Sequence, residues 1–309
     1  MKRLEKRIKA AACDALALMR WGTRFPEQVR PYRSAAVLSC NPRDPRVRKK
    51  LIHDTVRFNI PRNRAFWNRA VDTLQPQTAI DVGVNYGECL FTATYPRGTR
   101  ALGFEANPNL ERYLERSRAN HPQSEQISLH IGLVGNKHKE TADFHIDTQW
   151  SGSSSAVQHA GDSERYQTIQ IPTLSVDGVI DDLGHRVENL LFKIDVEGYE
   201  SFVLSGMTQV LERAAWSVGY IEINALSAEA AGVDLATYLA DLQARFHVLG
   251  FDRAGRLVDL RGKGLGDLEA ICQKTTRPRG AKRRPVGTDL VLVRGKPNAR
   301  IETLLAKWR

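Results

Sequence analysis

No stretch of the 309 residues approaches the roughly 18 to 20 uninterrupted apolar residues a membrane-spanning helix needs; even residues 10–19 contain Asp14. No spanning helix is therefore expected. Cysteine is scarce, and Cys13, Cys40, Cys89 and Cys272 lie far apart with no CxxC pair. That pattern argues against a zinc site or a disulfide framework and fits a reducing cytoplasm. A secretory signal is also missing, because the apolar stretch after the basic residues 1–9 is alanine-rich, broken by Asp14 and followed by no convincing cleavage site. His145, His159 and His185 have no metal-ligand spacing, and neither repeats nor low-complexity segments are evident. Acidic residues are in deficit as well: Asp and Glu total 35 against 45 Lys and Arg, a net charge of +10. Such an excess favours anionic partners such as nucleic acid, lipid headgroups or phosphorylated substrates.

What is present divides the chain. Residues 1–58 read as a basic helical extension, with Leu4, Ile8, Ala11, Ala12, Ala15, Leu16 and Met19 at helical spacing, followed by a connector rich in Pro and Arg. Its clusters at residues 2–9 and 46–50, like the basic run 274–284, read as solvated surface, and the first admits peripheral contact with the inner face of an anionic membrane. Residues 59–296 read as one α/β domain, and residues 297–309 as a tail. From residue 78 short apolar runs alternate with helical stretches, the pattern of βαβ units on a mainly parallel, doubly wound sheet. Strands are expected at 78–82, 100–105, 127–134, 190–194 and 216–223, with 247–251 and 289–293 closing the sheet as an antiparallel hairpin. Residues 86–93 are expected to start a helix, another begins at Asn107-Pro108, and 142–146 and 168–171 are expected to extend the sheet.

Asp81-Val-Gly-Val-Asn-Tyr-Gly87 puts glycines at a strand-to-helix turn, where backbone can approach a ligand closely and free N–H groups can meet a carboxylate or phosphate. Glu105 stands 24 residues after Asp81, at the end of the next strand. In dinucleotide-type folds an acid there accepts hydrogen bonds from ribose hydroxyls. A nicotinamide dinucleotide would favour GxGxxG for its pyrophosphate, and the two glycines here are spaced differently. S-adenosylmethionine has no pyrophosphate. Its carboxylate suits the turn, its ammonium suits Asp81 and its ribose suits Glu105.

The second cluster, Lys193-Ile-Asp-Val-Glu-Gly-Tyr-Glu200, lies at the carboxyl end of a buried strand and carries three acids in six residues. Asp195 can be a plain helix cap and Glu200 a charge in the first turn of the next helix, and a carboxylate at this edge can instead orient or deprotonate an acceptor hydroxyl. Asp195 is the first candidate for that role, Glu197 the second and Glu222 a reserve. Ser151-Gly-Ser-Ser-Ser155 reads either as a loop reaching over the cofactor or as a linker.

Ile80-Asp-Val-Gly-Val-Asn-Tyr-Gly87, Gly103-Phe-Glu-Ala-Asn-Pro108, Leu133-Val-Gly-Asn136 and above all Phe192-Lys-Ile-Asp-Val-Glu-Gly-Tyr-Glu200 resemble the FkbM-type methyltransferases, over roughly residues 70–294. The resemblance implies a Rossmann-like class I fold with a seven-stranded sheet and O-methylation of a hydroxyl on a sugar, glycan or secondary metabolite. It implies that Asp81, Gly83, Asn85 and Gly87 surround the methionine part of S-adenosylmethionine, that Glu105 holds the ribose and that Asn136 lies by the adenine. Competing readings are a nucleic-acid methyltransferase, for which no Asn/Asp-Pro-Pro-aromatic segment exists, a nicotinamide oxidoreductase, and a non-catalytic cofactor-binding protein.

Overall fold

The computed structural model describes residues 2–157, 164–271, 287–296 and 298–309. At its centre is an eight-stranded sheet of β1 (Thr78–Val82), β2 (Arg100–Glu105), β3 (Ile127–Ile131), β4 (Asn189–Ile194), β5 (Trp216–Asn224), β6 (His247–Phe251), β7 (Leu257–Asp259) and β8 (Gly287–Gly295). Their order across the sheet is β3-β2-β1-β4-β5-β8-β6-β7. The first five run parallel, and β8 inserts antiparallel between β5 and β6. The doubly wound α/β class and the closing antiparallel pair are as expected from the sequence. The strand count exceeds the expected seven by the short β7, which pairs with β6.

Strands β1 and β4 are near-continuous apolar runs because both faces of the sheet are covered. On one face Ile80, Val82, Phe104, Phe192, Ile194 and Ile221 pack with helices Val176–Asp182, Glu200–Ser205, Thr208–Arg213 and Leu235–Arg245. On the other, Ala79, Leu191, Val218 and Tyr220 pack with helix Arg62–Leu74 and helix Ala299–Ala306. That second face also takes in Cys13, Ala17, Val29, Leu38, Val47, Leu51 and Ile52. Residues 1–58, expected as a separate extension, thus share the core of the sheet. The segment 297–309, expected as a tail, carries a helix with Ile301, Leu304 and Leu305 buried.

Three local expectations differ from the structure. The stretch after Gly87 is a series of turns, in which Phe91 N donates to Gly87 O (2.9 Å), Thr92 Oγ1 to Glu88 O (2.6 Å) and Tyr95 Oη to Leu90 O (2.7 Å). Residues 127–134 break at Gly132, so that Leu133–Val134 leaves the main sheet. It joins Tyr166–Leu174 and Thr141–Asp147 in a separate three-stranded sheet, which 142–146 and 168–171 therefore build instead of extending the large one. The basic run 274–284, Cys272 and His159 lie outside the described residues.

Candidate functional site

A cavity of about 690 Å³ opens at the carboxyl ends of β1, β2, β4 and β5, the edge where open α/β sheets bind ligands. The volume falls within the roughly 300–1,000 Å³ usual for small-molecule sites. Asp81, Gly83, Asn85, Glu105, Asp195, Glu197 and Glu222 all line it. Gly87 and Asn136 do not: Gly87 is buried beneath the turn, and Asn136 is exposed beside Gly206.

The register of the parallel strands explains the floor of the cavity. Asp81 on β1 stands level with Lys193 on β4, so the two side chains leave the sheet together. Lys193 Nζ donates to Asp81 Oδ1 (3.0 Å) and Gly83 O (3.2 Å) and lies 3.6 Å from Asp195 Oδ2. Burial alone would discharge the lysine, yet the Asp81 and Asp195 carboxylates outweigh it and raise its pKa. Burial pushes the Asp81 carboxyl up, against the pull of Lys193. Asp81 Oδ2 is buried with no hydrogen-bond partner among the described residues.

Glu105 is held by main chain: Asn85 N donates to Oε2 (2.7 Å) and Asn107 N to Oε1 (2.9 Å). Each oxygen keeps a further lone pair. Asn85 itself sits at φ 52° and Gly83 at φ 80°, the left-handed region, and this bends the loop back over the end of β2. Gly83 N and Val84 N both donate to Phe104 O, and Gly87 N to Val84 O. These amides are thus spent inside the fold, and the anion cradle expected at this turn is closed.

Beyond β4 the chain runs through Asp195, Val196 and Glu197 into Gly198, with Glu197 in the left-handed region at φ 54°. A non-glycine residue held there is strained, a condition that clusters at functional sites. Glu200 fixes this loop by accepting from Val196 N (3.3 Å) and Gly198 N (3.1 Å). Its burial raises its pKa to about 7, against those hydrogen bonds. Glu200, in the first turn of helix Glu200–Ser205, thus holds the preceding loop, and neither it nor Asp195 caps that helix by a side-chain hydrogen bond. Glu197 instead lines the cavity, half-buried, its pKa pushed well up by burial and by the carboxylates of Asp195, Glu222 and Glu200, with Arg46 opposing. Among the described residues no group of three or more His, Cys, Asp or Glu has a metal-holding arrangement.

The remaining walls come from a basic segment that sequence reasoning did not assign to the site and from the Ser/Gly segment that it offered as a loop over the cofactor. Arg46 Nη1 donates to Glu88 Oε1 (2.6 Å), and Lys49 lies 5.3 Å from the centroid of the Trp150 ring; all four residues line the cavity. Lys50, Arg57 and Arg62 line it too, and Arg62 Nη1 is 3.5 Å from Asp289 Oδ2. The Ser/Gly segment after Trp150 reaches the site: Ser151 Oγ lies 3.4 Å from both Asn85 side-chain ends, and Ser155 Oγ donates to Glu197 O (3.1 Å). A basic cluster far upstream in sequence carries no periodicity that would bring it to this cavity. Lys193 was also not singled out from the sequence, and it is the register of β1 against β4 that places it level with Asp81.

Solved structures similar to the chain include the O-methyltransferase TomG from Streptomyces achromogenes in complex with SAM, at 12% identity and TM-score 0.40, covering 76% of this chain and 80% of that one. Cofactor-bound Rv0187 from MTB matches at 10% identity and TM-score 0.39, over 78% and 84% of the two chains. The O-methyltransferase from Bacillus cereus in complex with SAH matches at 9% and 0.36, over 76% and 83%. No curated protein matches the chain significantly. The sequence model of the methyltransferase FkbM domain matches residues 81–251, more than half of the chain and the whole span from Asp81 to the end of β6, and the chain belongs to that family.

Proposed function

We propose that the protein transfers a methyl group from S-adenosylmethionine to a hydroxyl on a sugar, glycan or secondary metabolite. The observation that carries this reading is a pair of carboxylates at the ends of adjacent parallel strands in one cavity: Asp81, with its unpartnered buried oxygen, and Glu105, with open lone pairs on both oxygens. An amino-acid ammonium suits the first and a ribose diol the second. A dinucleotide is disfavoured by the spacing of Gly83 and Gly87, which departs from the GxGxxG pattern that lets a pyrophosphate approach.

When bound, the cofactor supplies a methyl group already activated on a sulfonium. The chain must then orient the acceptor and take its proton. Glu197 is the better placed of the two rim acids: it lines the cavity from a strained backbone position, whereas Asp195 is engaged by Lys193. On the opposite wall Lys49, Lys50 and Arg57 form no ion pair among the described residues, and with Trp150 they support an acceptor that carries a phosphate or carboxylate near its hydroxyl.

Calorimetry tests the cofactor: S-adenosylhomocysteine should bind and NAD should not, and the reverse outcome overturns the reading. Glu105→Ala should weaken S-adenosylhomocysteine by about 1.5–3 kcal/mol, the range for a hydrogen bond to a charged group. Labelled methyl transfer onto glycan, lipid, small-molecule and nucleic-acid fractions tests the acceptor, and incorporation confined to nucleic acid would refute a hydroxyl on a sugar or metabolite.

A further inference from the structure

Helix Lys2–Trp21 has two dissimilar faces. Cys13 and Ala17, 5% and 0% exposed, turn inward to the core. Asp14 beside them is clamped by Arg48, whose Nε lies 3.0 Å from Oδ1, and by His53 at 3.1 Å. On the opposite side Ile8, Ala11, Ala12, Ala15, Leu16 and Met19 follow the i, i+3, i+4, i+7, i+8 spacing of one stripe. An amphipathic helix ordinarily turns such a stripe toward its own protein. Here the stripe faces outward: Ile8 is 61% exposed and Met19 79%.

Charge decides what can cover it. Helix residues 2–21 include six Lys and Arg against Glu5 and Asp14, and Asp14 is already neutralised from within. Arg7, Lys9 and Arg20 are exposed at the edges of the stripe and make no ion pair among the described residues. A second copy of the chain would bring the same basic fringe against this one. An anionic lipid surface meets the fringe with opposite charge and the stripe with acyl chains. No helix among the described residues is long and apolar enough to cross a membrane, so the contact is parallel to the surface.

We infer that helix Lys2–Trp21 docks the protein on an anionic bilayer through Ile8, Leu16 and Met19, with Arg7, Lys9 and Arg20 on the headgroups. This surface is independent of the methyl-transfer reading. Its place in the fold gives it a second property. The stretch 47–56 that grips Asp14 through Arg48 and His53 also sends Lys49, Lys50 and Asp54 into the cavity wall. The docked helix and the cavity wall are thus joined through one short segment.

The test is co-sedimentation of the full chain with vesicles of phosphatidylcholine alone or mixed with phosphatidylglycerol. The parent protein should pellet with the mixed vesicles and stay in solution with the neutral ones, and added salt should release it as screening predicts. The triple variant Ile8→Glu, Leu16→Glu, Met19→Glu alters only exposed positions and should keep the parent melting temperature while its bound fraction falls at least about tenfold. Arg7→Glu, Lys9→Glu, Arg20→Glu should abolish the preference for anionic vesicles. Equal pelleting of parent and apolar-stripe variant overturns the inference. So does failure of the parent to bind together with a concentration-dependent dimer in sedimentation velocity that the triple variant loses, because the stripe would then be a self-association face.

Discussion

Four carboxylates of the site, Asp81, Glu105, Asp195 and Glu197, were legible from their positions at strand ends, whereas what each one does depends on partners that only the register reveals. Asp81 stands level with Lys193 across the β1/β4 pair, and that buried ion pair is not a feature of either strand alone. Removing one member strands the other, so Lys193→Met should cost about 3–5 kcal/mol of unfolding free energy, read by denaturant titration. Glu197→Gln should collapse turnover while S-adenosylhomocysteine affinity stays near the parent value; an unchanged rate would shift the proton acceptor to Asp195, for which Asp195→Asn is the parallel measurement. Glu200 makes a different prediction. Its folded pKa of about 7 lies above the unfolded carboxyl range. Its contribution to stability is therefore full below about pH 4.3 and is lost as pH rises toward 7, by on the order of 3 kcal/mol. Glu200→Gln removes this titration, so the melting temperature of the variant should fall less than the parent's between pH 5 and pH 8, and parallel profiles would contradict the assignment.

Among the elements, the parallel strands could be read from sequence because each is a buried apolar run, and the stretch after Gly87 could not, because it is tied by contacts to distant residues, such as Tyr95 N to Gln123 Oε1 (2.8 Å), that leave no periodic signal. The break at Gly132 was also hidden: a Cβ there would stand 2.7 Å from Pro172 O on a strand about forty residues away, so the reason for the glycine is tertiary. Gly83 has a similar reason, since a Cβ would meet Asp195 O at 2.0 Å with φ already positive. Gly83→Ala should separate the two loops that bear the cofactor and acceptor acids, destabilising the protein by more than about 2 kcal/mol and weakening S-adenosylhomocysteine in the same variant. The segment 47–56 poses the reverse problem, a basic run that reads as solvated surface and forms a wall. Lys49→Ala with Lys50→Ala should raise the acceptor KM severalfold at low salt, leave S-adenosylhomocysteine affinity unchanged, and lose the difference from the parent at high salt.

At the scale of the molecule, the α/β class and the closing antiparallel strands followed from the alternation of apolar runs, but the extent of the folded unit did not. Alternation marks where strands begin; it carries no information on whether the irregular residues 22–58 cover a sheet face. They do, and the chain's far end joins them there. Helix Arg62–Leu74 packs against helix Ala299–Ala306, Arg300 Nη1 donates to Leu74 O (3.1 Å), the Phe66 and Trp308 rings lie 5.9 Å apart, and Leu257 N donates to Trp308 O. Protein synthesis runs in one direction, and this arrangement makes an aromatic residue from the first quarter of the chain wait for the last helix. Phe66 leaves the ribosome with only part of its covering available, and residues 299–308 emerge more than two hundred codons afterwards. A nascent chain stalled or terminated just short of residue 299 holds every acid of the cavity yet displays an uncovered aromatic face, so losing the last dozen codons would deliver the chain to chaperones and proteases as surely as a lesion in the central sheet.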